Sequence, residues 1–213
     1  MAAIQRLSLF DLPPALQREW LAQRLARPAP VAAQGLNDGF RLPGREGTPV
    51  PAAVLVPLVN RPQGLQVLLT QRSADLPDHP GQISFPGGRV DPGDTGFAAT
   101  ALRETAEEIG LPPSKVDVLG ELATYVTVTG YSVRPVVGWV EPPFQLVPDP
   151  IEVADAFDVP LEFLLDRSNH QRHYRMIGEI RRDYWAIPWL QRYIWGATAS
   201  MLLILERTLS ADD

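Results

Sequence analysis

Proline is the residue type that most constrains how this chain can fold. The chain holds 22 prolines among 213 residues, about twice the roughly 5% of average proteins. They are scattered along the chain rather than clustered. Proline breaks helix interiors and cannot donate a hydrogen bond inside a sheet. The sequence therefore predicts many short helices and strands that are separated by frequent turns.

The overall composition is typical of a globular protein. Hydrophobic residues make up 45% and charged residues 21%, which argues against a disordered chain, a collagen-like repeat or a coiled coil. The formal net charge is −6, and no stretch concentrates Lys and Arg, so we expect no nucleic-acid partner. The chain has no cysteine, which excludes a disulfide framework, a thiolate zinc site, an iron–sulfur cluster and a cysteine nucleophile.

Membrane and targeting signals are missing from the sequence. No apolar run approaches the roughly 18 residues that span a bilayer. The first ten residues lack a basic region followed by a long apolar core. We therefore expect a cytoplasmic or matrix-soluble protein without stable membrane association.

The chain divides into an N-terminal extension over residues 1–50 and a main domain over residues 51–210. Pro13 and Pro14 predict the start of a helix that ends before Pro28. Residues 27–51 are rich in Pro, Gly and Ala and predict a connecting loop. The helix carries apolar residues at helical spacing, so we expect it to pack on the main domain or to support a homodimer; they are Leu16, Trp20, Leu21 and Leu25.

Strand pairs that alternate with helices predict an α/β fold of the α+β type, with a mixed β-sheet between helices. Pro57 predicts an edge position or a bulge for the first strand. The predicted strands are Ala52–Asn60, Leu65–Arg72, Val116–Val128, Tyr131–Glu141, Arg172–Ile180 and Tyr184–Ile187, and the predicted helices are Phe97–Ile109, Glu152–Phe157, Leu161–Leu165 and Ile194–Leu209.

The predicted helix over 97–109 carries the most informative pattern. At about 100° per residue, Glu104, Glu107 and Glu108 fall within one third of its circumference. The opposite side holds the apolar residues Ala98, Leu102, Ala106 and Ile109. Two carboxylates about 5–6 Å apart repel by about 3 kcal/mol at an effective dielectric near 20. The face is either solvated or, if enclosed, compensated by a hard cation such as Mg²⁺ or Mn²⁺.

A glycine turn precedes this helix. Pro86 and Gly87 suit the central positions of a type II turn. Such a turn would leave the backbone of Gly87 and Gly88 free to approach a cation. The loop and the helix would then form one site.

The segment from Gly88 to Leu111 resembles the Nudix box, G-x5-E-x7-R-E-U-x-E-E-x-G-U, where U is apolar. Gly88 matches its first position, and residues 103–111 match its second half. Two departures stand out: Asp94 replaces the central Glu, and the spacer from Asp94 to Arg103 is one residue longer.

Residues before the box resemble the additional signature of coenzyme A (CoA) pyrophosphatases within the Nudix family. The matching residues are Leu68 to Ser73, His79, Gly81-Gln82 and Phe85 to Gly88. The lengthened spacer also fits this subfamily. Pro77 stands where the signature commonly has Arg, and the segment 194–199 is similar to the last helix of the subfamily. The resemblance covers residues 51–209.

This resemblance implies a metal-dependent pyrophosphatase of CoA or its thioesters, which are small nucleotide substrates. It implies that Gly88, Glu104, Glu107 and Glu108 hold Mg²⁺ or Mn²⁺, and that Arg103 orients one Glu by a bidentate pair. Glu104 is the first candidate for the general base and Glu152 the second. ADP-ribose, NADH or dinucleoside polyphosphates are alternative substrates, and a non-catalytic nucleotide-binding module is the alternative class.

Three cations near the box are the candidates for substrate binding: Arg72, His79 and Arg89. Arg72 either contacts phosphate or pairs with Asp75 or Asp78. His170 and His173 have the spacing of a metal pair, but no further ligand cluster accompanies them, so we interpret them as surface histidines. Trp185, Trp189 and Trp195 are interpreted as core or interface residues rather than base-stacking residues.

Overall fold

The computed structural model describes residues 9–30, 33, 37, 38, 42, 44 and 47–210. Much of the predicted loop over 27–51 lies outside these residues. In chain order the elements are α1 (Pro14–Leu25), β1 (Val50–Arg61), β2 (Gly64–Arg72), β3 (Ile83–Ser84), β4 (Gly87–Arg89), α2 (Phe97–Ile109), β5 (Val116–Glu121), β6 (Tyr125–Val126), β7 (Tyr131–Val140), β8 (Val153–Pro160), α3 (Leu161–Leu165), β9 (Gln171–Ile177), β10 (Ile180–Trp189), β11 (Arg192–Trp195) and α4 (Ala197–Ser210).

The larger sheet is mixed, as the sequence predicts. Its strands follow the order β3-β2-β1-β7-β5, while β4 pairs with β1, β6 with β7 and β8 with β2. Strands β1 and β7 run parallel, and the other pairs are antiparallel. Strands β9, β10 and β11 form a second, antiparallel sheet.

Helices cover both faces of the larger sheet, which confirms the predicted fold class. Alternate residues of β1 point to opposite faces. Leu55 and Val59 pack with Ala101 and Ile109 of α2. Val56 belongs to a larger core that includes α1, α4 and the second sheet. The site described below lies on the α2 side.

Pro57 occupies a central strand, so the predicted edge position is wrong. Strand β1 pairs with β7 along 50–59 and changes its antiparallel partner on the other side, from β4 at Ala52–Val54 to β2 at Leu58–Arg61. The N–H of Leu55 donates to the Pro86 carbonyl at 2.9 Å. Alternate backbone groups point the same way, so Pro57 falls where no antiparallel partner is paired and a missing N–H costs little.

One predicted helix and the start of another are also wrong. Residues 152–157 do not form a helix, because Val153–Pro160 is strand β8 and pairs with β2. The closing helix begins at Ala197 rather than Ile194, since Ile194 lies in β11. Gly196, with φ +65°, separates the strand from the helix. Long-range strand pairing overrides the local helical pattern in both places.

The N-terminal helix packs within the fold. Leu21 and Leu25 of α1 are buried in the larger core, and Arg18 forms an ion pair with Asp117 of β5. Leu16 is 48% exposed, so it does not belong to the packed side. The first of the two predicted roles of this helix, packing on the main domain, is confirmed. No described helix is long and apolar enough to cross a membrane.

Candidate active site

Strand β4 brings two glycines against the start of β1. Gly87 pairs with Val54 and Gly88 with Ala53. A Cβ on Gly87 would lie 2.4 Å from the carbonyl oxygen of Ala53, and its φ is +153°. Only glycine fits this close approach. The predicted type II turn at Pro86-Gly87 is wrong, because Gly87 is part of a strand.

Gly88 lies directly against the carboxyl group of Glu104. A Cβ on Gly88 would be 2.4 Å from the carboxyl carbon Cδ of Glu104 and 2.5 Å from both its oxygens. Any larger residue at this position would displace that carboxylate. The missing side chain therefore creates the space that Glu104 fills, and it brings the predicted backbone ligand and the predicted carboxylate ligand together.

Helix α2 is enclosed on more than one side. The buried residues of α2 include Glu108 beside Ala101, Thr105 and Ile109. The prediction that the carboxylates and the packed residues lie on opposite sides of the helix is therefore only partly correct. Of the predicted apolar side, Ala98 and Leu102 pack only partly against the core. Helix α2 packs against both β1 and β4 of the larger sheet. Glu108 is only 6% exposed.

Burial changes the acidity of two glutamates. Burial, and then the nearby charge of Glu152, raises the pKa of Glu108 to about 8, against the opposing effect of Arg72. Burial also raises the pKa of Glu104, while its hydrogen bond from Arg103 acts in the opposite direction. Carboxylates that are costly to ionise in this way are strong candidates for neutralisation by a cation.

Arg103 lies at the centre of the acidic cluster. Its Nη1 donates to Glu104 Oε1 at 2.9 Å and to Glu107 Oε2 at 3.0 Å. Its Nε and Nη2 donate to the two oxygens of Asp94 at 3.1 and 3.0 Å, and Nη2 also donates to the Arg89 carbonyl. The predicted bidentate pair therefore forms with Asp94 rather than with a Glu.

Asp94 anchors Arg103, a role that the box pattern does not predict because the pattern has Glu at this position. Besides Arg103, it accepts hydrogen bonds from Thr100 Oγ1 at 2.7 Å and from the Asp91 N–H at 2.9 Å. The Arg103 guanidinium holds the pKa of Asp94 well below its usual range. The shorter side chain anchors Arg103, and Arg103 in turn fixes Glu104 and Glu107.

The donor set fits a hard divalent cation. Glu104, Glu107, Glu108 and the Gly88 carbonyl supply only oxygen ligands, the kind that Mg²⁺ and Mn²⁺ prefer. The buried Glu108 carboxylate has no arginine partner among the described ion pairs. Within the described ranges, no three His, Cys, Asp or Glu side chains converge as a metal-binding group. Arg103 Nη1 instead forms ion pairs with Glu104 and Glu107.

The three side chains predicted to bind substrate phosphates have different surroundings in the structure. Arg72 ends β2, and its Nε donates to the Asp78 carbonyl at 3.4 Å, while its charge acts on Glu108. His79 is exposed and contacts Gln82 through Nδ1 at 3.1 Å. Arg89 points to Tyr131, with Nη2 2.6 Å from the hydroxyl oxygen. Arg72 is therefore the candidate whose charge reaches the carboxylates most directly.

Glu152 comes close to the box helix through a backbone connection. The N–H of Val147 donates to the Ile109 carbonyl and that of Asp149 to the Glu108 carbonyl, at 2.8 and 2.9 Å. Glu152 follows this segment, and its charge raises the pKa of both Glu104 and Glu108. The predicted second base thus lies near the site, on a turn before β8 rather than on a helix.

Sequence reasoning missed Tyr131 and the 147–149 segment. Tyr131 lies 42 positions from Arg89, and no local pattern connects them. His170 and His173 do not meet at a metal: His170 Nε2 lies 2.8 Å from the Leu164 carbonyl and His173 Nε2 lies 2.9 Å from Gln171 Oε1.

Comparisons with known proteins found one matching family and several similar chains. The family model for the NUDIX domain matches residues 49–177. A protein from Photorhabdus laumondii named "Uncharacterized Nudix hydrolase NudL" is 44% identical over 155 residues, which cover 71% of this chain and 80% of the relative. The protein of the same name from Escherichia coli O7:K1 is 45% identical over 156 residues, covering 71% and 78%. A crystal structure of the Caenorhabditis elegans Ap4A hydrolase binary complex has a TM-score of 0.46 and 26% identity, covering 52% of this chain and 80% of that one.

The family match places the chain in a class of enzymes that act on pyrophosphate bonds. The matches in sequence identify the family: the chain belongs to the Nudix hydrolases. Enzymes of this family act on nucleoside diphosphate-linked substrates, and they generally use divalent metal ions such as Mg²⁺.

Proposed function

We propose that this Nudix hydrolase cleaves the diphosphate of CoA or of CoA thioesters. The products would be adenosine 3′,5′-bisphosphate and 4′-phosphopantetheine or its acyl derivative. The observation that carries the proposal is the position of the segment resembling the CoA signature. Arg72 of that segment lies where its charge acts on Glu108, and its backbone N–H donates to Gln82 of the same segment at 2.9 Å.

The proposed site uses the box residues to neutralise a highly charged substrate. Glu104, Glu107, Glu108 and the Gly88 carbonyl would hold Mg²⁺ or Mn²⁺, which when bound neutralises the diphosphate oxygens and favours attack by water. Arg103 positions Glu104 and Glu107 through the contacts of its Nη1. Arg72, His79 and Arg89 would bind the substrate phosphates.

Hydrolysis requires one proton acceptor. Water adds to a phosphorus atom, the bond from that phosphorus to the bridging oxygen breaks, and the leaving phosphate keeps the electron pair. The proton of the attacking water passes to a carboxylate, for which Glu104 is the first candidate and Glu152 the second. Glu104 is partly buried and held by Arg103, whereas Glu152 is exposed.

The two candidate bases can be separated by matched substitutions. We expect Glu104→Gln to lower kcat by at least 1,000-fold. Glu152→Gln should lower it far less. Steady-state kinetics with saturating metal would measure both, and a loss with Glu152→Gln equal to that with Glu104→Gln would assign the proton transfer to Glu152. Unchanged turnover of Glu152→Gln would remove that residue from the mechanism.

Product analysis tests the proposed substrate. The protein is incubated with CoA, ADP-ribose or NADH in the presence of Mg²⁺ or Mn²⁺, and products are identified by liquid chromatography and mass spectrometry. Adenosine 3′,5′-bisphosphate should appear from CoA with the wild type and with Glu162→Gln, an exposed control on α3. Glu108→Gln should form none. Cleavage of ADP-ribose or NADH with CoA left intact would overturn the CoA assignment, and no turnover of any of them would favour a nucleotide-binding module.

A further inference from the structure

The second sheet presents an aromatic surface that the diphosphate chemistry does not use. His173 of β9, Tyr184 of β10, and Tyr193 and Trp195 of β11 share one face, because each pairs across the strands in register. The rings contact one another: His173 stacks on Tyr184 with centroids 5.8 Å apart, and Tyr184 meets Trp195 edge-on at 5.4 Å. We call these four residues the aromatic wall.

A cleft opens beside the aromatic wall. Its volume is about 610 Å³, within the 300–1,000 Å³ that is usual for small-molecule sites. Tyr193 and Trp195 form one side, and the loop residues Gly81 and Gln82 form the other. Tyr193 remains 42% exposed, so its ring is accessible to a ligand in the cleft.

The wall is held firmly against the main sheet. Arg192 of β11 forms an ion pair with Asp155 of β8 and donates a hydrogen bond to Gln71 of β2. Its guanidinium also lies 4.1 Å from the ring centroid of Phe157. These contacts fix β11 at the end of β2, where Gln71 precedes Arg72.

Positive charge accompanies the aromatic wall in an otherwise acidic protein. Residues 171–195 hold five arginines against two acidic residues, and two of these arginines, Arg182 and Arg192, pair with acidic residues of other segments. The Arg175 guanidinium lies 5.3 Å from the ring centroid of Trp195. In the part of the chain that the structure describes, no acidic side chain pairs with it. Flat rings beside a cation attract electron-rich, anionic aromatic ligands.

We propose that this cleft binds the purine base of the substrate, an inference that rests on the proposed nucleotide hydrolysis. Purines stack on aromatic side chains and on Arg planes. The loop that lines the cleft at Gly81 and Gln82 also carries the Asp78 carbonyl that Arg72 contacts. Gln71 accepts a hydrogen bond from Arg192 of β11, whereas the charge of the next residue, Arg72, acts on Glu108 of α2. The nucleotide therefore passes around the end of β2, with its base on the aromatic wall and its diphosphate on the α2 side.

Equilibrium binding without metal tests the purine site independently of hydrolysis. Isothermal titration calorimetry in EDTA compares adenosine 5′-monophosphate with ribose 5-phosphate, which lacks the base. Stacking on one aromatic residue contributes about a tenfold change in affinity. We expect the wild type to bind the adenosine nucleotide at least tenfold more tightly than the sugar phosphate, and Tyr193→Leu to remove about tenfold of this preference.

Two variants make the test specific to the ring. Tyr193→Phe keeps an aromatic face and should bind as the wild type does. Tyr174→Leu makes the same change on the opposite face of the second sheet, where Tyr174 is 59% exposed, and should also leave binding unchanged. Equal affinities for the two ligands, or equal losses for Tyr193→Leu and Tyr174→Leu, would overturn the purine site.

The hydrolysis panel separates this inference from the proposed function. Preference for the adenosine nucleotide that depends on Tyr193, combined with no cleavage of CoA, would keep the purine site and reject the CoA assignment. Cleavage of CoA with unchanged KM in Tyr193→Leu would keep the pyrophosphatase and reject the purine site.

Discussion

The carboxylate site on α2 and the aromatic wall on β9–β11 are held in place in different ways. At the site, Gly88 and Glu104 touch so closely that a Cβ has no room, and Arg103 connects Asp94 with Glu104 and Glu107. In the second sheet, Asp183 pairs with Arg172 and Arg181 at the surface. The site therefore depends on the position of single atoms, whereas the second sheet depends on strand register. Substitutions of the same chemical kind should act differently in the two regions.

The largest difference should come from glycine. Gly88→Ala places a Cβ on the Glu104 carboxyl group, so we expect kcat to fall by at least 100-fold because a carboxylate ligand is displaced. Gly178→Ala in the β9–β10 turn meets no atom within 4 Å but has φ +60°, so it should lower the free energy of unfolding by about 1 kcal/mol and leave kcat unchanged.

Steady-state kinetics and chemical denaturation measure both effects. Gly93→Ala is the neutral control, since a Cβ there meets nothing and no positive φ is involved. Full activity of Gly88→Ala would show that Glu104 moves aside without loss, and the proposed ligand role of Glu104 would then be wrong.

The second comparison concerns an acid that anchors an arginine. Asp94→Asn removes the charge from the pair with Arg103, so Glu104 and Glu107 lose their fixed positions, and we expect kcat to fall about tenfold with a smaller change in KM. A double variant with Arg103→Lys should lose little more than either single variant, because both changes act through one contact. Additive losses would mean that Asp94 has a separate role.

The third effect is on the stability of the metal-free protein. Folding raises the pKa of Glu108 from its ordinary value of 4.5 to about 8. An acid whose pKa is raised by folding stabilises the folded state at pH values below its ordinary pKa. This contribution is lost as the pH rises through the pKa that the acid has in the folded state. We therefore expect Glu108→Gln to have a higher Tm than the wild type in EDTA at pH 8.5, and the difference to disappear near pH 5.

Thermal unfolding at several pH values measures this effect. Glu162→Gln, exposed on α3, should follow the wild type throughout. A wild-type Tm that does not fall relative to Glu108→Gln between pH 5 and 8.5 would contradict the assigned burial of Glu108.

The smallest effect is expected in the second sheet. Asp183→Asn removes partners of Arg172 and Arg181, both of which are mostly exposed, so the free energy of unfolding should change by less than about 0.5 kcal/mol. Urea denaturation checks this value. A change above about 1 kcal/mol would show that these exposed pairs hold the second sheet together, and the contrast with the α2 site would weaken.

Local patterns predicted helix α2 and the mixed sheet correctly. Helix α2 was predicted with the observed bounds, Phe97–Ile109, because Gly110 and the prolines after it end the helix. The first two strands were also predicted, from the neighbouring β-rich runs Ala52–Asn60 and Leu65–Arg72. These features depend on residues that are near one another in the chain.

Features that depend on distant residues were not predicted. Residues 153–157 have a helical composition, but their pairing with β2, more than 80 positions earlier, makes them a strand. The contacts of Arg103 at the site were also not predicted correctly. Arg103 was expected to form a bidentate pair with a Glu, but two of its nitrogens donate to Asp94 instead. Gly88 was predicted as a ligand by resemblance. Its steric contact with Glu104 was not predicted, because it arises only when β4 packs beside α2.

Strands β4 and β2 pair with successive parts of the same edge of β1, and this arrangement limits where the chain tolerates insertions. Because β4 pairs with β1 before Pro57 and β2 pairs after it, the segment between them is anchored at both ends. One residue inserted between Phe85 and Gly88 would shift the register and turn Gly88 to the other face of the sheet. Relatives should therefore keep a constant length from Phe85 to Gly88.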